Sequence, residues 1–336
     1  MLLWQIYVVV FGGSAAVSAA VALAAPSGRR PDPRSGSNVS CESLSVAANT
    51  STIPESSWDS HFHVTDPERY PLLSDAQYTP GVYTVWENAV FERSINCEKV
   101  VLVQPSIYGS DNSLLLDSLK AYGPTRARAV VVLDAPIANA ARLRDWHALG
   151  VRGLRLNIKS KATSESTEQL EKRLRAYAQA IKPLDWVLQI YAPMAVIPSL
   201  KPVLMSLGVR IVIDHFGGPA MPSPSATSGD VDPYSLAGFS AMIALLRQGN
   251  TWVKISAPYR FSQKASDNLF TDLDPLIKEL FKVAPSRLIY ASDWPHTRFE
   301  GLDIKPWTEH LVQLTGENED LRRKLFKDNA QDVWGP

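Results

Sequence analysis

The chain has 336 residues, of which 45% are hydrophobic and 20% charged, an ordinary globular composition that excludes a wholly disordered or fibrous protein. Lys plus Arg and Asp plus Glu both number 34, so the net charge is zero. That balance argues against nucleic acid as the main partner, since phosphate binding needs an excess of basic residues. The two cysteines, Cys41 and Cys97, are too few for a disulfide framework.

Residues 2–28 carry no charge: the apolar run LLWQIYVVVF precedes the small-residue stretch GGSAAVSAAVALAAP. This predicts a signal peptide over residues 1–25, with Ala22-Leu23-Ala24 as the cleavage motif, and a secreted protein. The alternative is an uncleaved anchor over residues 2–25, because Arg29 and Arg30 follow the apolar run and no basic residue precedes it. Only that alternative makes a membrane a partner. Residues 26–56 are rich in Pro, Ser, Gly, Asn and Thr, which predicts a disordered linker. The linker holds the acceptor sequons at Asn38 and Asn49.

From residue 57 to 336 one domain is expected, in which apolar, β-branched runs alternate with helical patterns. Strands are predicted at 58–63 and 100–106, then a helix over 111–123 that ends at Gly123. A strand at 127–133, a helix over 138–150 and a strand at 151–157 come next. The helix over 166–182 opens with Ser-Thr-x-Gln, close to a capping box. Strands follow at 187–192 and 211–217, a helix over 234–250, a strand at 252–257, a helix over 271–285 and a strand at 288–294. Continuous apolar strands alternating with helices predict a (β/α)8 TIM-like barrel. The runner-up is an open doubly wound sheet, disfavoured by the lack of a Gly-rich loop after the first strand.

Barrel enzymes place their chemistry at the C-terminal strand ends. Four of the six histidines fall there: His61, His63, His215 and His296. Residues i and i+2 of a strand point to one side, so His61 and His63 can reach one metal or one substrate oxygen. Asp293 closes the last strand before Trp294-Pro295, where desolvation is expected to raise its pKa and suit it to base work. Ser106, Arg155, Lys161, Tyr191 and Arg260 also lie at or just beyond strand ends. A blander reading pairs Arg152 or Arg155 with a barrel carboxylate such as Asp214, leaves Tyr259-Arg260 on a surface loop, and makes Ser106 a turn or cap.

Taken together, the segments 58–63 (WDSHFH), 70–72 (YPL), 104–109 (QPSIYG), 150–157 (GVRGLRLN), 213–217 (IDHFG) and 292–296 (SDWPH) resemble the amidohydrolase superfamily. Within it the chain is similar to the amidohydrolase-2 branch that includes pyrone-dicarboxylate, sugar-acid and muconolactone lactonases. Metal-dependent members of the superfamily use the first-strand H-x-H, a Lys or Glu on strand four, His on strands five and six, and Asp on strand eight. This chain matches at His61, His63, His215 and Asp293, but has Gln189 and Tyr191 on strand five and Arg155 on strand four. The resemblance to a metal-free lactonase implies no required cofactor. The alternative is one Zn or Mn ion on His61, His63, His215 and Asp293, in a metallohydrolase or a non-oxidative aromatic-acid decarboxylase.

The activity implied is hydrolysis of a small acidic lactone. Asp293 would be the base on water, and His61, His63 and His215 would donate hydrogen bonds to the oxyanion. Arg155, Lys161 and Arg260 would hold substrate carboxylates, with Ser106, Tyr191 and His296 as further substrate contacts. Lys161 stands where a second arginine is expected from the resemblance.

Overall fold

The computed structural model describes residues 53–134, 140–158, 166–223, 229–264 and 268–335. The expected signal segment, the linker up to residue 52, Cys41 and Lys161 lie outside these residues. Ile53 is buried in the core and accepts a hydrogen bond from Asn96 through its carbonyl, so the packed body begins before the expected boundary at residue 57. Among the described residues no helix is long and apolar enough to cross a membrane.

Eight strands form one parallel sheet in sequence order: β1 (Ser57–Phe62), β2 (Cys97–Val103), β3 (Ala127–Val131), β4 (Val151–Asn157), β5 (Val187–Tyr191), β6 (Ile211–Ile213), β7 (Thr251–Ile255) and β8 (Leu288–Tyr290). The β8 end returns to β1 through a parallel bridge between Phe62 and Trp294 and a 2.8 Å hydrogen bond from His63 N to Trp294 O. The sheet thus curls into a nearly closed (β/α)8 barrel, as the alternating pattern predicts.

The crossover helices are α1 (Val85–Ser94), α2 (Ser113–Tyr122), α3 (Ala140–Leu149), α4 (Thr167–Ile181), α5 (Ile197–Ser206), α6 (Phe239–Gln248), α7 (Asp274–Val283) and α8 (Lys305–Leu314). The box at the start of α4 is present: Gln169 N donates to Ser166 Oγ at 3.2 Å, and Ser166 N donates to Gln169 Oε1 at 2.9 Å. Each apolar strand buries one face against these helices in the larger core. The opposite face fills the barrel with Trp58, Val101, Val103, Val130, Val187, Val212, Trp252 and Ile289.

Two short C-terminal helices, α9 (Glu319–Arg323) and α10 (Asn329–Trp334), follow. Ala330, Val333 and Trp334 of α10 join the inner cluster, and Trp334 Nε1 donates to Ser60 Oγ at 3.1 Å. The floor of the barrel is therefore closed by the chain's own end, and the opposite mouth stays open.

Several strands end earlier than their apolar runs suggest, two of them by four residues. The predicted 211–217 strand stops at Ile213 and the 288–294 strand at Tyr290. The cause is local: His215, Phe216 and Asp293 have φ of 52°, 55° and 61°, a left-handed conformation that leaves the ladder. Gly218 continues the first turn, and a Cβ there would run into the Ala192 carbonyl. The two turns carry candidate site residues, as strained backbone often does.

Candidate active site

At the open mouth lies a cavity of about 340 Å³. His63, Ser106, Arg155, Tyr191, His215, Arg260 and Asp293 line it, together with Tyr78, Asn157 and Arg298. His61 lies directly beneath, fully buried.

The first strand sets the imidazoles. His61 and His63 fall on one side, and their Nε2 atoms are 3.2 Å apart. Asp59 fixes this strand end to the loop after β8. It accepts from His61 N at 3.0 Å, from Ser292 N at 2.9 Å and from the Ser292 hydroxyl. Asp293 N in turn donates to His61 O at 2.9 Å.

Asp293 is the point of convergence. Its Oδ1 lies 3.6 Å from His61 Nε2, 3.7 Å from His63 Nε2 and 3.8 Å from His215 Nε2. Its Oδ2 accepts from the Tyr259 hydroxyl at 2.7 Å and from Arg260 Nε at 2.9 Å. Tyr259-Arg260 therefore belongs to the site and not to a surface loop.

The electrostatics correct one expectation. Burial alone raises the Asp293 pKa, but the Arg260 guanidinium and the three surrounding imidazoles hold it well below the usual carboxylate range. The desolvation argument from sequence omitted those partners, and the carboxylate is firmly ionised. At the histidines burial outweighs the neighbouring carboxylates, Asp214 beside His61 and Asp293 beside His63 and His215. It lowers His63 and His215 to about 4, and His61 well below its ordinary value, so all three rings are neutral near pH 7.

Ring partners fix part of the proton pattern. His63 Nδ1 faces the Val103 carbonyl at 2.7 Å, and a carbonyl only accepts, so Nδ1 carries the proton. Neutral His63 thus offers Nε2 as an acceptor, where the sequence reading expected a donor to the oxyanion. His215 Nδ1 lies 2.7 Å from Ser256 Oγ, which orients the ring.

Behind the imidazoles is a charged layer. Lys254 on β7 is fully buried, with Nζ 3.1 Å from His61 Nδ1 and 3.2 Å from Asp214 Oδ1. Asp214 Oδ2 accepts from Gln189 Nε2 at 3.0 Å and lies 3.5 Å from Arg155 Nη2. Burial pushes Asp214 up, but Lys254 and His61 hold it well below the ordinary range. Burial lowers Lys254 to about 8, and Asp214 opposes that shift. Sequence reasoning passed over Lys254, although a lysine inside the apolar run WVKIS is the visible signal of a buried, partnered cation.

The remaining expected residues divide. Arg155 meets both readings: it pairs with Asp214, donates from Nη1 to Gln104 O at 2.9 Å, and still lines the cavity. Arg152 instead donates to the His147 and Val151 carbonyls. Tyr191 packs edge-on against His215, with ring centroids 5.0 Å apart. Its hydroxyl is pushed to about 12 by burial and remains protonated. Ser106 opens a short turn on the cavity wall. His296 is buried against Phe91 and Tyr259 and does not line the cavity.

Among the described residues, two groups have the donor types and spacing to hold a metal ion: His61, Asp214 and His215, and His61, His63 and Asp293. In the first, Lys254 Nζ already stands against two of the three, so an ammonium occupies the place of the ion. The fit of the second turns on which nitrogen of His61 carries its proton.

Residues 58–335 match the amidohydrolase-2 family model, described as amidohydrolase. The chain belongs to the amidohydrolase family. Among its relatives, 4-sulfomuconolactone hydrolase of Hydrogenophaga intermedia is 30% identical over 288 residues, covering 84% of this chain and 90% of that one. The 2-pyrone-4,6-dicarboxylate hydrolase of Comamonas testosteroni is 28% identical over 301 residues, covering 84% and 92%. A solved structure of a proposed 2-pyrone-4,6-dicarboxylic acid hydrolase from Pseudomonas putida superposes with a TM-score of 0.69 at 30% identity, covering 84% of this amidohydrolase and 98% of that chain.

Proposed function

We propose that this amidohydrolase opens the ring of a small acidic lactone by adding water, with Asp293 as the base and without a required metal. The observation that carries the reading is the convergence of Asp293 Oδ1 with three neutral imidazoles beneath a cavity lined by Arg155, Arg260 and Arg298. The names of the two relatives support the substrate class, since both designate hydrolases of compounds bearing acidic groups.

The residues divide the work as follows. Water seats against Asp293 Oδ1 and His63 Nε2, both acceptors, which hold its two protons. Arg155, Arg260 and Arg298 face the substrate's anionic groups and orient the ring, Arg by its planar fork. His215 and the Tyr191 hydroxyl donate to the lactone carbonyl and stabilise the developing oxyanion. As the water oxygen bonds to the carbonyl carbon, its proton passes to Asp293. The tetrahedral oxyanion then collapses, the ring C–O bond breaks, and Asp293 returns the proton to the departing oxygen. The product is the ring-opened acid.

A strongly acidic Asp293 is a weak base in the empty site. A substrate anion at Arg260 offsets the guanidinium's field on Asp293 and strengthens the base once substrate is bound.

The spacing of His61, His63, His215 and Asp293 favours a second reading, with one zinc or manganese ion held there. Such an ion would polarise the carbonyl and acidify bound water. The hydrogen bond from Lys254 to His61 weighs against it.

The test is a panel of acidic lactones, 4-sulfomuconolactone and 2-pyrone-4,6-dicarboxylate among them, offered to the wild type and to Asp293→Asn. Ring opening by the wild type alone supports the proposal. Equal rates for both, or no turnover of any acidic lactone, contradicts it.

A further inference from the structure

We infer that Lys254 is a positioning residue that fixes the proton of His61 on Nε2, building a seat for water and withholding the lone pair that a metal would need. The inference deepens the water-activating reading given above, but its structural part stands independently of any substrate.

Lys254 Nζ lies 3.1 Å from His61 Nδ1. An ammonium has three donors and no lone pair, so Nδ1 must accept. A neutral imidazole carries one proton, which is then on Nε2. The competing arrangement would place the proton on Nδ1 facing Asp214 Oδ1 at 3.4 Å, yet that oxygen already has the Lys254 ammonium closer, at 3.2 Å. It would also turn an N–H toward the ammonium. The Asp214 carboxylate 3.2 Å from Nζ pairs with Lys254 as an ammonium, and His61 is fully buried beside that ammonium, which disfavours a second charge on the ring.

The next bond agrees. His63 donates Nδ1–H to Val103 O at 2.7 Å and so presents a lone pair at Nε2. His61 Nε2–H faces that lone pair at 3.2 Å. Lys254, His61, His63 and Val103 form one chain of hydrogen bonds with every direction determined.

The outcome at the cavity floor is one donor and two acceptors. Water entering here takes the place of the direct His61–His63 bond: His61 Nε2–H then donates to it, and His63 Nε2 and Asp293 Oδ1 accept from it. This inventory matches a water molecule, which can donate to both acceptors, receive one bond and turn its remaining lone pair to the substrate. It does not match a cation, because the protonated Nε2 of His61 has no lone pair to give. Lys254 itself touches neither the cavity nor the reacting atoms, since Trp334 and Asp214 enclose it.

The experiment uses full-length protein with ring-15N-labelled histidine. Long-range 1H–15N correlation spectra, with His61 assigned by comparison with His61→Gln, are expected to show protonated Nε2 and acceptor Nδ1 for His61. In Lys254→Met the proton is expected to move to Nδ1, and calorimetric titration with zinc should give binding about tenfold tighter or more than in the wild type. Where the variant turns over a lactone, kcat should fall by about 100-fold with KM nearly unchanged. A wild-type His61 protonated on Nδ1 overturns the inference, as does equal zinc affinity in the two proteins. Should Lys254→Met fail to fold, the wild-type spectrum alone decides. Failure of the wild type to open any lactone defeats the proposed function and leaves the spectrum to judge Lys254 separately.

Discussion

Arg260 Nε donates to Asp293 Oδ2 at 2.9 Å, leaving Oδ1 to face the imidazoles. One carboxylate oxygen is thus tied down and the other left for chemistry. The pairing places a cation against the carboxylate that serves as the base in the proposed mechanism.

Arg260→Gln removes that cation. Arg260 lowers Asp293 most and also lowers His63 and His215, so its loss moves all three pKa values upward. The acid limb of the kcat/KM profile should shift to higher pH relative to the wild type, where His63 and His215 at about 4 set the lower edge. Paired pH–rate profiles check this; coincident acid limbs would show that Arg260 does not control the groups that set the acid edge.

Asp293→Asn keeps the size of the side chain and removes the base. Turnover should fall on the order of 10³-fold or more, as expected when a general base is lost. Circular dichroism should be unchanged, since the backbone bond from Asp293 N to His61 O does not involve the side chain.

Arg155→Met separates binding from chemistry. Arg155 lines the cavity and lies 3.5 Å from Asp214. Losing one charge-assisted hydrogen bond should raise KM by about 10- to 100-fold for an acidic lactone with little change in kcat. A neutral lactone analogue should show no such increase.

The buried histidines predict an acid-sensitive fold. His63, His215 and His296 are each lowered from 6.5 to about 4, chiefly by burial. A base whose pKa is depressed on folding binds protons more readily when unfolded. Its contribution to stability is complete above pH 6.5 and is lost as the pH falls through that value toward about 4. Tm should therefore drop between pH 7 and pH 5. His296→Phe, which changes a ring outside the cavity, should flatten that drop; an unchanged slope would remove His296 from the account.

Much of this architecture is visible in the chain. Continuous apolar strands separated by helical patterns announce the barrel, and Ser166 with Gln169 announces the start of α4. Three crossover helices, α1, α5 and α8, are not among the expected ones, and two of these are obscured for physical reasons. α5 carries Pro198 and Pro202, and α1 turns Trp86 and Val90 to solvent, which blurs its apolar face. The plug formed by Trp334 is a tertiary fact, since nothing local distinguishes a helix that closes a barrel from one on its outside.

Within the site, His61, His63, His215 and Asp293 are legible because strand ends converge in a barrel. The direction of the Asp293 shift is not, because it depends on Arg260 and Tyr259 reaching across from another loop. Lys254 was visible as a charge in an apolar strand. Its partners Asp214 and His61 come from other strands, and only the closed barrel brings them together.

The central claim is that the chain's own groups activate water. It is tested most directly by measuring the metal content of active protein, before and after exhaustive chelation, alongside its rate on an acidic lactone. The account predicts full activity at a metal content far below one ion per chain, unaffected by chelator. Activity that disappears on chelation and returns in proportion to added zinc or manganese, saturating near one ion per chain, would contradict it.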